Sequence, residues 1–404
     1  MSASETRYRD LMSREPLLWG LVALASKTPV AMAPLALVFL TRESPYGYTF
    51  GAILASVYVL GEVAGAPLLG TRLGRGRMRR QLSFGLMAGA LAFGALPLAV
   101  SAPPSVLIGL AFVAGVAPAA CPGGIRAMLT RLVADNAVPR ALSAEAMLTQ
   151  IVWAAAPGLV VLLALQVHPG APLMVVALLA ATASVLLLRL PEPQEPASAG
   201  PPSGPMAATL LTGWPVYLTS AASMSMLATA ELVLPALLEE RHIAVGWAGP
   251  LLAGFALAGA AGAFCYGLRT WPGSVRTQSL VFLVVTSGCL GLVTVLPGVT
   301  GIAVGLLLTG VFQAGVMIAR TLSLRERLPQ HAHAAAYSVM YAVGGVGYSL
   351  AASLSAAVLD LGNASVAILS GVTVTLLITA VSALAESRRS APRIPHPDSA
   401  SGPH

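Results

Sequence analysis

Residues 17–40 read LLWGLVALASKTPVAMAPLALVFL, and Lys27 is the only charged side chain among them. A helix rises about 1.5 Å per residue, so about 20 apolar residues cross the hydrocarbon core of a bilayer. The run is longer than the apolar core of a signal peptide and lacks a clear cleavage site. It therefore predicts a membrane-spanning helix that the protein retains.

Eleven further runs of the same character follow this first one. They cover residues 48–70, 82–101, 105–126, 143–165, 171–190, 209–237, 247–266, 278–297, 301–320, 336–358 and 364–384. Backbone polar groups have no water partner inside a bilayer, and these runs lack the alternation of barrel strands. The chain is therefore predicted to be an all-α integral membrane protein with twelve transmembrane helices.

The amino-acid composition is that of a protein embedded in a lipid bilayer. Hydrophobic residues make up 56% of the chain and charged residues 10%, against about 25% charged in soluble domains. The net charge of +7 comes from arginines between apolar runs, a pattern that does not favour nucleic-acid binding. One lysine beside 22 arginines, with abundant alanine, is typical of a GC-rich genome such as an actinobacterial one.

A proline-rich stretch divides the chain after the sixth run. Residues 191–205 read PEPQEPASAGPPSGP, so residues 191–208 are predicted to be a linker between units 17–190 and 209–384. The ends, 1–16 and 385–404, are polar. Twelve crossings place 20 of the 22 arginines on the side of both ends. The positive-inside rule then predicts a multi-pass protein of the plasma membrane with both ends cytoplasmic.

The two units repeat one another. Residues 32–43 (MAPLALVFLTRE) overlay residues 229–240 (TAELVLPALLEE), and at nearly the same offset Arg126 overlays Arg320. A duplicated six-helix half creates an interface near the membrane midplane, where many transporters hold their substrate. The repeat therefore predicts two pseudo-symmetric six-helix bundles with a binding site between them.

The loop after the second run carries a recognisable pattern. Residues 70–80 read GTRLGRGRMRR, which resembles the signature loop of the major facilitator superfamily, twelve-helix branch. Gly70, Arg75, Arg79 and Arg80 match the family pattern, and Gly74 stands where the family has aspartate. The resemblance covers nearly the whole chain. It implies a secondary transporter that moves a small molecule by alternating access.

Two further resemblances concern energy coupling. Arg126 in the fourth run is similar to the family's proton-coupling arginine, and Ala156-Pro157-Gly158 resembles the proline motif of drug/proton antiporters, with alanine before the proline. They imply proton-coupled export of a small amphipathic organic molecule. An importer or a passive facilitator of the same fold is the alternative. A lipid enzyme would need a cluster of His, Asp or Glu at one membrane surface, and a receptor remains open.

The middle of the membrane holds two charged candidates. Lys27 lies about 15 Å into the first run, and Glu62 lies about 12 Å from the end of the second. An unpaired charge at such depth costs several kcal/mol, so a Lys27–Glu62 ion pair is predicted. It either takes part in proton or substrate movement or fixes two helices together.

The other candidates have two interpretations each. Glu231 either attracts a cation or a proton, or is a solvated acid near the outer mouth. Glu145 and Gln150 either take part in transport or are an interfacial acid and an interhelical hydrogen-bonding amide, and the second interpretation is favoured. Arg126 and Arg320 are interpreted as anchors whose side chains extend to the inner membrane surface, with a relay role as the alternative.

No cofactor chemistry is predicted. The histidines have no metal partner at ligand spacing, and the cysteines, which lie inside apolar runs, form no such pattern either. A phosphate-binding glycine loop with a lysine is absent, and so is a nucleophile with its base. The expected partners are a small-molecule substrate, protons and the lipid bilayer, for a monomer that is not an enzyme.

Overall fold

The computed structural model describes residues 13–42, 46–73, 77–191, 205–360 and 362–390, without the side chains of 387–390. Within these ranges the chain forms α-helices joined by short turns and contains no strand. The helices are α1 (Arg14–Leu40), α2 (Gly47–Gly70), α3 (Met78–Leu98), α4 (Pro104–Val116), α5 (Cys121–Leu132), α6 (Val138–Gln166), α7 (Ala171–Leu187), α8 (Met206–Leu211), α9 (Trp214–Glu240), α10 (Ala248–Leu268), α11 (Val275–Leu292), α12 (Gly298–Arg327), α13 (His333–Leu359) and α14 (Ala364–Ser390).

Twelve apolar helical segments in the described ranges correspond to the twelve predicted runs. Eleven of them in the described ranges are long and apolar enough to span a bilayer, with α4 and α5 forming one crossing together. The twelfth, α7, is apolar but has only 17 residues, near the lower limit for a span. Large apolar side chains on the outside, such as Phe84 at 77% and Leu98 at 80% exposure, suit contact with lipid. The predicted twelve-helix membrane fold is confirmed.

The first six crossings pack into one bundle and the last six into another. In the first bundle α1 contacts α6 and α7, α2 contacts α4, and α3 contacts α7. In the second bundle α9 contacts α13 and α14, while α12 contacts α10 and α11. The two bundles meet where α6 packs on α10 and where α13 packs on α2 and α5.

The fourth and tenth crossings show how the repeat differs between the halves. The fourth breaks between Val116 and Cys121 into α4 and α5, whereas the tenth, α12, is continuous. Pro118 and Pro122 lie at this break, and each lacks the N–H that a helix needs. The second copy has Phe312 and Val316 at the equivalent positions, so α12 keeps its hydrogen bonds.

The halves are in contact at one end of the molecule. We call this end the terminal face: it holds residues 13, 70, 132, 268 and 327. The Nη2 atom of Arg325 lies 2.6 Å from Oδ1 of Asp135 across the two halves. Close to it, the Nη2 atom of Arg131 donates a hydrogen bond to the carbonyl of Gln330 at 3.0 Å.

Small residues allow the helices to approach closely at the terminal face. A Cβ atom on Gly70 would lie 2.5 Å from the Cβ atom of Ser338, and one on Gly123 would lie 2.5 Å from the backbone nitrogen of Ser338. Only glycine fits at either position. Two helices of the first half therefore touch the same turn of α13, and the pathway is shut here.

At the opposite end of the interface, α6 and α10 are less closely packed. Residues 138–150 of α6 are buried or half-buried, but residues 153–155 and 157–159 are exposed. Trp153 is 52% exposed, and the positions where Gly158 and Gly249 would carry a Cβ atom have no neighbour within 4 Å. The halves are therefore in close contact at the terminal face, whereas α6 and α10 lack such contact at these positions of the other end.

Several predicted boundaries differ from the observed ones. The fifth crossing begins at Val138 rather than at 143, and α5 continues to Leu132 beyond the predicted end at 126. Residues 206–208 of the predicted linker begin α8, and the predicted tail from 385 begins as part of α14. Most of the predicted ends and of the predicted linker, residues 1–12, 192–204 and 391–404, lie outside the described residues.

Candidate functional site

A three-membered ion cluster lies inside the first half. Lys27 is at the middle of α1, and its Nζ atom lies 3.0 Å from Oε1 of Glu145 on α6. The Nε atom of Arg126, on α5, lies 3.0 Å from Oε1 and 2.8 Å from Oε2 of the same carboxylate. One carboxylate therefore joins two cations from two other helices, and the cluster keeps one positive charge.

This cluster corrects the predicted pairing of Lys27. Its carboxylate partner is Glu145, not Glu62. Glu145 is 3% exposed and lies about 10 Å beyond the first residue of α6, so it is not the interfacial acid that we expected. The predicted boundary at 143 placed this residue too close to the membrane surface.

A cavity of about 70 Å³ adjoins the ion cluster at the interface between the halves. Its lining includes Arg126, Glu145 and Thr149 from the first half and Gln313 and Thr321 from α12 of the second. Since both bundles supply polar groups to a space otherwise walled by apolar helices, this cavity is the candidate substrate site.

Gln313 is held firmly but only at one end. Its Nε2 atom donates to the carbonyl of Ser223 at 2.8 Å and to its hydroxyl at 3.0 Å. The residue is 4% exposed, and its Oε1 atom has no hydrogen-bond partner among the described residues. A buried acceptor without a partner is uncommon and calls for an explanation. Gln313 is not among the transport residues predicted from the sequence, because a single amide in an apolar run gives no sign of its orientation.

Gln150 lines the same cavity and faces the other half. Its side chain lies against Gly259 of α10, where a Cβ atom would collide with Nε2. The expectation for Gln150 was an interhelical hydrogen bond, and what the structure shows is this close packing across the interface.

Glu62 lies at the seam between the halves, apart from the ion cluster. It is 7% exposed, and its Oε1 atom accepts a hydrogen bond of 2.8 Å from the hydroxyl of Tyr58. One turn further along α2, Ala66 packs with Ala342 and Tyr341 of α13. No cation pairs with Glu62 among the described residues, so a tyrosine hydroxyl alone supports its charge.

Glu231 has a similar environment within the second half. Its Oε2 atom accepts a hydrogen bond of 3.0 Å from the hydroxyl of Tyr348 on α13. The described residues contain no cation that pairs with it. Both uncompensated acids of the interior are thus held by tyrosines.

Arg320 does not extend to the membrane surface as predicted. The residue is 1% exposed, and its guanidinium donates to the hydroxyls of Thr219 on α9 and Ser279 on α11. Arg126 is likewise bound inside the bundle to Glu145. Both interpretations as surface anchors fail, since the arginines find polar partners on neighbouring helices.

The signature loop is described in part. Gly70 belongs to the closed terminal face, and Nη1 of Arg79 donates to the carbonyl of Leu190 at 2.7 Å. Arg80 is exposed, and Arg75 lies outside the described residues. Sequence reasoning missed another ion cluster, which lies in the second half and in which Arg276 of α11 and Arg327 of α12 each lie 2.8 Å from Glu386 of α14.

The described residues contain no group of three or more His, Cys, Asp or Glu side chains that could hold a metal ion.

Three solved structures of similar fold are described as transporters or as a homologue of one. The human organic anion transporter TETRAN matches with a TM-score of 0.72 at 16% identity, over 91% of this chain and 99% of that one. A bacterial homologue of the iron transporter ferroportin, in an outward-facing state, matches with a TM-score of 0.71 at 16% identity, over 92% and 100%. The fucose:proton symporter of E. coli matches with a TM-score of 0.73 at 13% identity, over 91% and 97%.

No curated protein sequence matches the chain at a significant level. The sequence profile of the Major Facilitator Superfamily matches residues 19–302, which is more than half of the chain. The two six-helix bundles, the shared polar cavity and this match lead to one conclusion, and the predicted family is confirmed. The chain belongs to the Major Facilitator Superfamily and is a multi-pass membrane transporter, not an enzyme.

Proposed function

We propose that the protein is a proton-coupled exporter of a small amphipathic organic molecule, which works by alternating access. The observation that carries this proposal is the one-sided closure of the two halves around a polar cavity at their interface. With the terminal face cytoplasmic, as the arginine distribution favours, the structure is an outward-open state. The protein is then a monomer of the plasma membrane with both ends inside the cell.

Alternation requires that the contacts at the terminal face break while the exposed faces on the other side close. The Arg325–Asp135 ion pair and the glycine contacts to Ser338 are small and local, and they suit a joint that opens repeatedly. The cavity between α6 and α12 would then be accessible from the cytoplasm. Rocking of one rigid half against the other around a fixed midplane site is the usual mechanism of such repeats.

Proton coupling is proposed for Glu62 because of its charge balance and its place. Glu145 is compensated by two cations, so it has no need of a proton. Glu62 has only the Tyr58 hydroxyl, and a carboxylate without a cation is costly in a low-dielectric interior. Binding a proton removes that cost. Since Glu62 lies where α2 meets α13, movement of the halves changes its surroundings.

The export direction is argued from the outer half of α6, where residues 153–155 and 157–159 are exposed. This half contains Ala156-Pro157-Gly158, where the proline removes one helical hydrogen bond and permits bending. An amphipathic molecule could leave through the exposed apolar walls beside it. The fucose:proton symporter of similar fold couples its substrate to protons, which supports coupling and leaves the direction to experiment.

Proteoliposomes with a trapped pH indicator test this proposal. A panel of amphipathic compounds is added outside, with a proton gradient imposed across the membrane. We expect at least one compound to be transported together with measurable proton movement, and Glu62→Gln to abolish the proton movement. Glu239→Gln, which changes an exposed acid at the end of α9, is the matched control. Transport that leaves the trapped pH unchanged would instead identify a passive facilitator.

A further inference from the structure

We infer that the transported molecule is a small organic acid that carries a hydrogen-bond donor beside its carboxylate. This inference rests on the proposed function and names the substrate class of the same cavity. It follows from two residues that line this cavity, Arg126 of the first half and Gln313 of the second, each of which has hydrogen-bonding atoms without a partner among the described residues.

Arg126 offers a free pair of donors. It reaches Glu145 through Nε, and its two terminal nitrogens, Nη1 and Nη2, have no hydrogen-bond partner among the described residues. The side chain of Arg126 is 18% exposed, and Arg126 lines the cavity. A guanidinium presents such nitrogens as a planar fork that matches the two oxygens of a carboxylate. Glu145 fixes the orientation of the fork from behind.

The charge of the cavity favours an anion. Lys27 and Arg126 share a single carboxylate, so one positive charge is left without compensation next to the cavity. A buried charge without a partner is costly, and an anionic ligand would supply the missing one. No further acid lines this cavity among the described residues, so a cation would meet net repulsion.

Gln313 indicates that the ligand also carries a hydrogen-bond donor. Its Nε2 atom is used by Ser223, and this bond to a carbonyl oxygen decides which end of the amide is the nitrogen. The Oε1 atom is therefore a buried acceptor without a partner among the described residues, and Gln313 belongs to the part of the lining that the second half contributes. An acceptor of this kind is satisfied by an O–H or N–H of the ligand. A ligand with both groups would bridge the two halves.

Equilibrium binding to the purified full-length protein tests the inference. The probes are glycolate, lactate and mandelate, each compared with its uncharged amide and with its acid lacking the hydroxyl (acetate, propionate and phenylacetate). Dissociation constants come from thermal-shift titrations. We expect at least one hydroxy acid to bind tenfold or more tightly than its amide. If no acid binds more tightly than its amide, the inference is wrong.

Two variants assign the effect to the two walls. Arg126→Gln should reduce acid binding tenfold or more, and Arg126→Lys should restore part of it. Gln313→Leu, which leaves the ion cluster intact, should remove the preference for the hydroxy acid over the acid without hydroxyl, while both still bind more tightly than the amide. Acid preference that survives Arg126→Gln unchanged would overturn the assignment. Because these are binding measurements, they stay interpretable even if proton coupling is not found.

Discussion

Arg325 of α12 and Asp135, which precedes α6, form an ion pair of 2.6 Å that joins the two halves of the transporter at the terminal face. The side chain of Asp135 is 91% exposed, so water and salt screen the pair. Its position, rather than its strength, makes it relevant: it can form only when the terminal face is closed. The closed state must therefore depend on close packing as well.

Removing this ion pair should have a small effect. An exposed pair contributes at most about 1 kcal/mol, so Asp135→Ala should change the ratio of closed to open terminal faces by no more than about fivefold. Spin labels at the exposed residues Asn136 and Glu326 would report the distance between the halves. A complete shift of the distance distribution would show that the pair dominates closure.

A side chain at Gly123 should have a large effect on the same equilibrium. A Cβ atom there would lie 2.5 Å from the backbone nitrogen and 2.9 Å from the carbonyl oxygen of residues on α13, and backbone atoms cannot move aside cheaply. We expect Gly123→Val to open the terminal face, seen as a longer distance between the same labels. Gly109→Val is the control, because nothing lies within 4 Å of its Cβ position. An unchanged distance in Gly123→Val would refute this account of closure.

The ion cluster predicts unequal effects of its members on stability. Glu145→Gln leaves Lys27 and Arg126 buried without compensation, and breaking such a pair typically costs about 3–5 kcal/mol. Lys27→Met leaves the neutral Arg126–Glu145 pair and adds an apolar side chain of similar length, so it should be nearly neutral. Thermal unfolding in detergent compares the two. Equal losses from both variants would mean that Lys27 is as necessary as the carboxylate.

The two acids held by tyrosines should differ in proton coupling. Glu62 lies at the seam between α2 and α13, whereas Glu231 and Tyr348 both belong to the second half and move together. We expect Glu62→Gln to uncouple transport from protons and Glu231→Gln to preserve the coupling. Glutamine can still accept the bond from the tyrosine in each case. Proton movement lost only in Glu231→Gln would transfer the role to that residue.

The predicted Lys27–Glu62 ion pair was wrong because the sequence gives the depth of a side chain in the membrane but not the neighbour that it faces. Lys27 and Glu62 lie at similar depths, and depth follows from counting residues along a helix. Each further residue turns the helix by about 100°, so a small error in position or tilt changes the neighbour that a side chain meets. The predicted start of the fifth crossing at 143 put Glu145 near the membrane surface. The helix in fact begins at Val138, so Glu145 lies about two turns inside it. The single amide of Gln313 carried no signal at all.

By itself, the sequence determined that this protein crosses the membrane twelve times in two related halves, and it indicated the family. Hydropathy and repeats are properties of the order of residues along the chain. Each apolar segment of sufficient length forms a spanning helix in the bilayer independently of the other segments. Only the tertiary structure decided that Glu145 joins Lys27 to Arg126, that Gln313 and Arg126 line the same cavity, and which end is closed. These relationships depend on the rotation and contact of helices distant in sequence, which packing of the whole bundle sets.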